Sequence, residues 1–199
     1  MHYSKYERLY ELEKMMCGIP NFRERGYGSL VLHSDMRDCI EEQPPPRTYT
    51  EALQIMVSAI RYQPLDDRLN EYIAEREMEQ MNYRSEKHKE VFEDIISKTD
   101  KKNNAFISAV YLMTADFELW QVMKHYTDKN TINFRKPKLK GIGEKGYTLY
   151  CVAKDLYLGT KHLSISDLAD KELISKKMFA LICNAMAIRR FGVKAMELA

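Results

Sequence analysis

Apolar residues recur at helical spacing along almost the whole chain, and patterns typical of β-strands are nearly missing. Residues 105–113 are almost continuously apolar, and residues 172–191 form the longest apolar helical pattern. Apolar residues three and four positions apart bury one face of a helix, whereas a helix that is apolar all round is buried on every side. We therefore predict an all-α fold, an irregular bundle of about seven or eight helices. The four helices predicted to build its core are 104–113, 116–126, 145–158 and 172–191.

Residues that start and stop helices mark further boundaries. Thr48 with Glu51 three positions later has the form of a capping box, and Ser85 is a candidate N-cap for a helix that reaches Lys98. Gly159 is predicted to end the helix that precedes it. Outside the helices, residues 131–136 are predicted to hold at most one short strand or hairpin. Further candidate N-caps are Thr114 or Asp116, and Ser164 or Ser166.

The N-terminal part of the chain has a different organisation. A short helical pattern over residues 3–16 ends before Gly18 and Pro20, and the run Pro44-Pro45-Pro46 predicts a stiff, extended segment. We interpret residues 1–47 as an N-terminal helix with a Gly/Pro-containing loop region, and residues 48–199 as the helical core domain. A chain of 199 residues suits one domain. Residues 1–82 are expected to dock on the rest as part of a single cooperative domain.

The two halves of the chain have opposite charge. Residues 1–100 hold 14 Lys and Arg against 20 Asp and Glu, and residues 101–199 hold 17 against 9. Such an asymmetry indicates either a charged surface for a partner or two lobes that attract one another. We expect the acidic helix that begins near Leu65 to dock on the basic half, mainly through its apolar side. The apolar residues expected there are Leu65, Leu69, Tyr72 and Ile73.

The strongest candidate contact surface is a basic run in the non-helical stretch. Its cations could meet carboxylates of a protein partner, which is the leading hypothesis, or neutralise nucleic-acid phosphates, with Phe134 as a stacking face. A third interpretation is a solvated loop, partly neutralised by the acidic first half. The predicted partner-binding residues are Phe134, Arg135, Lys136, Lys138, Lys140 and Lys145.

Catalytic signatures are missing from the sequence. The five histidines, at positions 2, 33, 88, 125 and 162, are scattered, and neither an HExxH nor a GxSxG motif is present. His88 lies among glutamates, but a partly buried helix histidine is the expected role. No catalytic residue, cofactor or metal site is predicted. Whether the chain is an enzyme stays uncertain at this stage, and a non-enzymatic role is favoured.

The expected location is the cytoplasm, with no membrane span. No run approaches about 20 apolar residues, and the N-terminus lacks the pattern of a signal peptide. The four cysteines are widely spaced and form no CxxC pair, so reduced, mostly buried thiols are expected. They are Cys17, Cys39, Cys151 and Cys183.

Two motifs suggest other functions but lack the context that those functions need. Gly141, Gly143 and Gly146 spell GxGxxG, yet the preceding residues are basic and interrupted by proline instead of forming a buried strand. Residues 163–177 resemble the opening of a helix-turn-helix. The following helix is apolar nearly all round, whereas a recognition helix must present a polar face to DNA. We therefore predict a flexible turn for the first motif and a core helix for the second.

Three stretches of the chain, in this order and spacing, carry a family resemblance. They are Tyr83–Lys89, Ser108–Met113, and the helix Cys151–Leu158 followed by the apolar helix that ends Ala187-Ile188-Arg189-Arg190. Together they resemble small uncharacterised helical domains of Firmicutes chromosomes and mobile elements, over about residues 83–191. The resemblance implies a helical domain carried by a plasmid, prophage or conjugative element. By analogy, it implies an accessory factor that inhibits a host defence system through surface charge.

Overall fold

The computed structural model describes residues 46–75, 83–100 and 102–198. The described residues belong to one compact unit, Pro46–Ala199. The predicted helix at 3–16, most of the predicted 1–47 region and the end of the acidic helix after Glu75 lie outside the described residues. Cys17 and Cys39 lie outside them as well.

The described part of the chain is all-α, as the sequence predicts. It contains eight α-helices and two short 3₁₀ helices, Lys124–Tyr126 and Gly192–Met196, and no β-sheet. None of these helices has the length and hydropathy of a membrane span. In chain order the helices are α1 (Tyr49–Ser58), α2 (Gln63–Ala74), α3 (Glu86–Ser97), α4 (Asn104–Thr114), α5 (Phe117–Met123), α6 (Glu144–Leu158), α7 (Ile165–Ala169) and α8 (Lys176–Phe191).

Helix α4 lies at the centre of the core. Every residue from Phe106 to Thr114 is buried, and α4 packs mainly against α6 and α8. A helix buried on all sides needs apolar residues all round its circumference, which explains the nearly continuous apolar sequence there. The prediction that these three helices and α5 build the core is confirmed.

The predicted N-caps satisfy backbone donors in the structure. Ser85 accepts a hydrogen bond from the amide of His88, and Asp116 accepts one from the amide of Leu119. Thr48 caps α1 in the same way, but the Glu51 carboxylate bonds the amide of Arg47, so the capping box is only half formed. Ser164 forms a complete capping box with Asp167. At the other end of α6, Gly159 takes the left-handed conformation that its role as a stop requires.

Helix α8 begins four residues later than predicted. The Asp170 carboxylate accepts hydrogen bonds from the amides of Glu172 and Leu173, and the Asp170 carbonyl accepts one from Ile174. These bonds close a separate turn before Ser175, whose extended backbone then starts the helix. An aspartate that bonds nearby backbone amides competes with helix formation, so the apolar pattern alone placed the boundary too early.

The segment at 131–136 does not form a strand. Within the described residues it contributes only an isolated antiparallel bridge between Thr127 and Ile132. The amide of Ile132 donates to the Tyr157 hydroxyl at 3.2 Å, so a side chain of α6 takes the place of a neighbouring strand.

A chain of polar groups crosses the core and joins four helices. The Tyr49 hydroxyl of α1 donates to Asn184 Oδ1 of α8, and Asn184 Nδ2 donates to the Tyr111 hydroxyl of α4 at 2.8 Å. His88 of α3 bonds the carbonyl of Tyr111 at 2.9 Å through Nε2. All four residues are buried. Buried polar groups of this kind fix the relative positions of the helices that carry them.

Helix α2 packs against α1 and α7, with Leu65, Leu69 and Tyr72 buried and Ile73 half-buried. Glu71 and Glu75 pair with Lys171 and Lys176, which are basic residues of the second half. Because these pairs are exposed, they contribute little, and the apolar contacts hold the helix in place. The docking of residues 1–45 and 76–82 stays a prediction.

Arg68 is the buried exception on this acidic helix, with a relative exposure of only 5%. Its Nη1 donates to the carbonyls of Leu168 at 2.7 Å and Asp170 at 2.6 Å, and its Nη2 donates to the carbonyl of Ile174. The guanidinium also lies 4.3 Å from the ring centroid of Phe179. Arg68 therefore ties α2 to the end of α7 and to the turn that precedes α8.

Replacing Arg68 with Met should lower the free energy of unfolding by about 3 kcal/mol or more, because buried carbonyls lose a charged donor. Urea unfolding followed by circular dichroism measures the loss. Arg47→Met, at an exposed position, is the control and should change stability by about 0.5 kcal/mol or less. An equally small effect of Arg68→Met would show that the turn does not depend on the guanidinium.

Ile182 lies at the centre of α8 and is 1% exposed. Ile182→Asp should unfold the protein, because it places an unpaired charge in the core. The matched control is Ile165→Asp, at an exposed position in the first turn of α7, where a carboxylate is favourable. Thermal unfolding measures both variants. A cooperative transition at the wild-type temperature in Ile182→Asp would contradict the buried placement of α8.

The buried His88 predicts a pH dependence of stability. Burial lowers the pKa of His88 from 6.5 to about 4. The unfolded chain therefore takes up a proton at higher pH than the native state, and stability falls as the pH drops from about 6.5 toward 4. Between pH 8 and pH 5, wild type should lose about 2 kcal/mol through this group.

Urea unfolding at both pH values tests the contribution of His88. His88→Gln should remove this part of the pH dependence, while His125→Gln, at an exposed position, should retain it. Equal pH dependence in wild type and both variants would mean that His88 titrates alike in the folded and unfolded states.

Candidate partner-binding surface

The predicted contact surface is an irregular segment that leads into α6. We call residues 135–145 the basic segment. It holds five Lys and Arg and one Glu. All five cations are exposed, namely Arg135, Lys136, Lys138, Lys140 and Lys145. Among the described residues, none of them forms an ion pair with a carboxylate. The described acidic residues of the first half thus do not neutralise this segment.

Phe134 does not belong to the exposed surface, which corrects the sequence prediction. It is 5% exposed, and its ring lies 5.4 Å from that of Tyr150 and 5.6 Å from that of Tyr157, between centroids. The sequence shows an aromatic residue next to cations but not the direction of its ring. Burying a large apolar side chain in the core beside α6 is more favourable in free energy than leaving it exposed to water. Phe134 therefore cannot stack on a partner.

Buried and half-buried side chains anchor the basic segment to the core. Phe134 holds its start, and Leu139 and Ile142 pack against the core further along. The Tyr150 hydroxyl donates to the carbonyl of Phe134 at 2.9 Å. The cations between these anchors consequently have a fixed backbone beneath them.

The glycines of the GxGxxG motif have structural roles. Gly141 has a φ of +88°, a conformation that other residues rarely adopt. A Cβ on Gly146 would lie 2.7 Å from Cγ2 of Ile142 and 3.1 Å from Oδ1 of Asp116, so Gly146 allows α6 to pack closely there. No strand precedes the motif in the described chain, so it lacks the context of a dinucleotide-binding fingerprint.

A concave surface lies at the start of the basic segment. This groove has a volume of about 630 Å³ and includes Arg135 and Lys136 in its lining. Ile132 and the half-exposed Leu158 add apolar surface, and His125 lies on its border. Asp128 is the one acidic residue of the described lining, against the two cations. An excess of cations beside apolar surface suits a partner that presents both carboxylates and an apolar side chain.

A second groove, of about 510 Å³, lies at the end of the basic segment, where Lys145 lines it. Tyr83, Arg84, Ser175 and Lys177 line it as well. Sequence analysis missed these residues. They come from two segments that are distant from each other and from Lys145 in the chain, and no local pattern marks them.

Within the described residues, no group of three or more His, Cys, Asp or Glu side chains could hold a metal ion. Both ring nitrogens of His88 are used, since Nδ1 accepts from the amide of Arg84 at 3.1 Å and Nε2 bonds Tyr111. His162 pairs with Asp155, whose carboxylate also accepts bonds from backbone amides. These partners lower the pKa of Asp155 despite its partial burial. The pair stabilises the turn after α6.

The helix-turn-helix interpretation is also incompatible with the structure. Helix α8, which would be the recognition helix, has Phe179, Ile182 and Ile188 in the core, as its apolar sequence predicts. A helix buried in this way cannot enter a DNA groove. Its Cys183 is buried, and Cys151 of α6 is half-buried and forms no disulfide.

Comparison of the chain with protein-family models, with curated proteins and with solved structures gives no match in any of the three. The resemblance to helical domains of Firmicutes mobile elements therefore stays a prediction. The function of the basic segment is inferred from its geometry and charge.

Proposed function

We propose that this chain is a non-enzymatic binding protein that contacts an acidic surface of a protein partner through its basic segment. The observation that carries the proposal is the arrangement of residues 135–145, in which the cations point away from an anchored backbone. Arg135, Lys136, Lys138, Lys140 and Lys145 form the contact surface. Phe134 is not part of this contact surface, because it is buried and anchors the segment to the core.

Anchoring supports this proposal in energetic terms. A loop that must be ordered on binding costs conformational free energy, and a loop held by buried side chains has already met that cost in folding. Phe134, Leu139 and Ile142 hold this segment in the free protein. The unpaired cations then give rapid association and select for acidic partners.

The two grooves favour a protein over a nucleic acid as the partner. Each groove combines cations with apolar surface, which matches a protein surface better than a phosphate backbone. With Phe134 buried, the basic segment also lacks the stacking face that single-stranded nucleic acid would use. Nucleic acid remains the alternative, through phosphate contacts alone.

The sequence resemblance suggests where to look for the partner. If the chain is an accessory factor of a mobile element, the proteins of a host defence system are the first partners to test. The proposed location of the complex is the cytoplasm. The choice of partner rests on the resemblance and the location on the sequence analysis, and neither rests on the geometry.

Charge reversal tests the basic segment. The full chain carrying Lys138→Glu and Lys140→Glu should lose a partner protein that wild type captures from a lysate of the source cell. The captured protein is then purified, and its affinity for both forms is measured. We expect the double variant to bind at least tenfold more weakly, because two attractive contacts become repulsive.

The matched control reverses two exposed lysines elsewhere, Lys102→Glu and Lys194→Glu, and should bind the partner like wild type. An equal loss of partner affinity in both double variants would mean that net charge, not the basic segment, governs binding. A gel-shift assay with duplex DNA or RNA tests the alternative. If wild type shifts the nucleic acid near 50 mM salt but not at high salt, and only Lys138→Glu/Lys140→Glu reduces the shift, the partner is a nucleic acid and not a protein.

A further inference from the structure

The groove at the end of the basic segment gathers hydrogen-bond donors from three separate parts of the fold. Tyr83 and Arg84 precede α3, Lys145 lies in the first turn of α6, and Ser175 and Lys177 lie at the start of α8. Among the described residues that line the groove, none is acidic. Three cations line this concave surface, and among the described residues only Arg84 is paired with a carboxylate, that of Asp116, which is not part of the lining. The described lining is therefore electrostatically matched to an anion.

The donors of this groove are not used up by the fold. Within the described residues, the ammonium groups of Lys145 and Lys177 and the hydroxyl of Tyr83 have no hydrogen-bond partner. Burial raises the pKa of Tyr83 to about 12, so its hydroxyl stays protonated and able to donate. The side chain of Ser175 makes no capping bond to α8.

Arg84 is held in place by the protein. Its Nη1 donates to the carbonyl of Ala115 at 2.8 Å and to Oδ2 of Asp116 at 3.1 Å. Since a guanidinium has five N–H donors, Nε and Nη2 stay available to a ligand. Fixing one end of the group in this way reduces the entropy lost when the other end binds.

The floor of the groove is apolar. Leu149 of α6 and Met178 and Leu181 of α8 line it and are largely buried. Its volume of about 510 Å³ lies within the range of about 300–1,000 Å³ typical of small-molecule sites. An inorganic anion would leave the floor exposed, whereas an anion with an apolar body would cover it.

We propose that this groove binds a small organic anion, with a phosphate or carboxylate head group among Arg84, Lys145 and Lys177 and an apolar body over Leu149, Met178 and Leu181. The Tyr83 hydroxyl donates to the same head group. The site shares Lys145 with the proposed partner surface, but Tyr83, Arg84 and Lys177 lie outside the basic segment, so variants at those positions test the groove separately. Either proposal can therefore fail without the other.

Isothermal titration calorimetry of the full chain tests the site with hexyl phosphate, hexanoate, inorganic phosphate and hexanol as probes. At least one of the two organic anions should bind, and the tighter one identifies the head group. It should bind at least about tenfold more tightly than inorganic phosphate, because only it covers the apolar floor. Hexanol, without a charge, should bind more weakly than either organic anion.

Two variants and a matched control locate the binding. Lys177→Gln should weaken binding of the tighter anion about tenfold, and Tyr83→Phe, which keeps the ring, should weaken it severalfold. Lys176→Gln removes the same charge one residue away, at a side chain that pairs with Glu75, and should bind within about twofold of wild type. Circular dichroism checks that each variant is folded.

The proposal is overturned if neither organic anion binds wild type with a Kd below about 1 mM. It is also overturned if Lys176→Gln weakens binding as much as Lys177→Gln does, since the anion would then respond to overall charge and not to the groove.

Discussion

The hydrogen bonds of Asn184 are the interaction on which the packing of this fold most depends. A single amide in the middle of α8 accepts from Tyr49 and donates to Tyr111, so α1, α4 and α8 meet in one register. His88 extends the connection to α3 through the carbonyl of Tyr111. Apolar contacts alone tolerate sliding of helices, whereas buried hydrogen bonds are satisfied only in one arrangement.

Helix α6 connects this core to the surfaces that we propose as functional. Its buried residues Leu149 and Val152 face the core, while the hydroxyls of Tyr150 and Tyr157 bond the backbone at Phe134 and Ile132. The basic segment is therefore attached to a helix that the core already fixes. The same helix carries Lys145, which places both the basic segment and the second groove on a rigid support.

Sequence analysis predicted helices well where local and tertiary preferences agree. The N-caps Ser85, Asp116 and Ser164 were predictable because a side-chain oxygen and the backbone amide that it bonds lie within three residues. The start of α8 was predicted four residues early, because the turn made by Asp170 competes with the helix and is in turn held by Arg68, about a hundred residues away. Phe134 was placed on the surface because its burial depends on α6.

The sequence by itself determined the all-α class, the approximate helices and the presence of a basic segment, since each follows from spacing or composition over a few residues. The tertiary structure decided which side chains of that segment face outward, that Arg68 is buried, and that Tyr83, Lys145 and Lys177 line one groove. Those features depend on contacts between residues that are distant in the chain. No local pattern encodes such contacts, because they arise only when the helices pack.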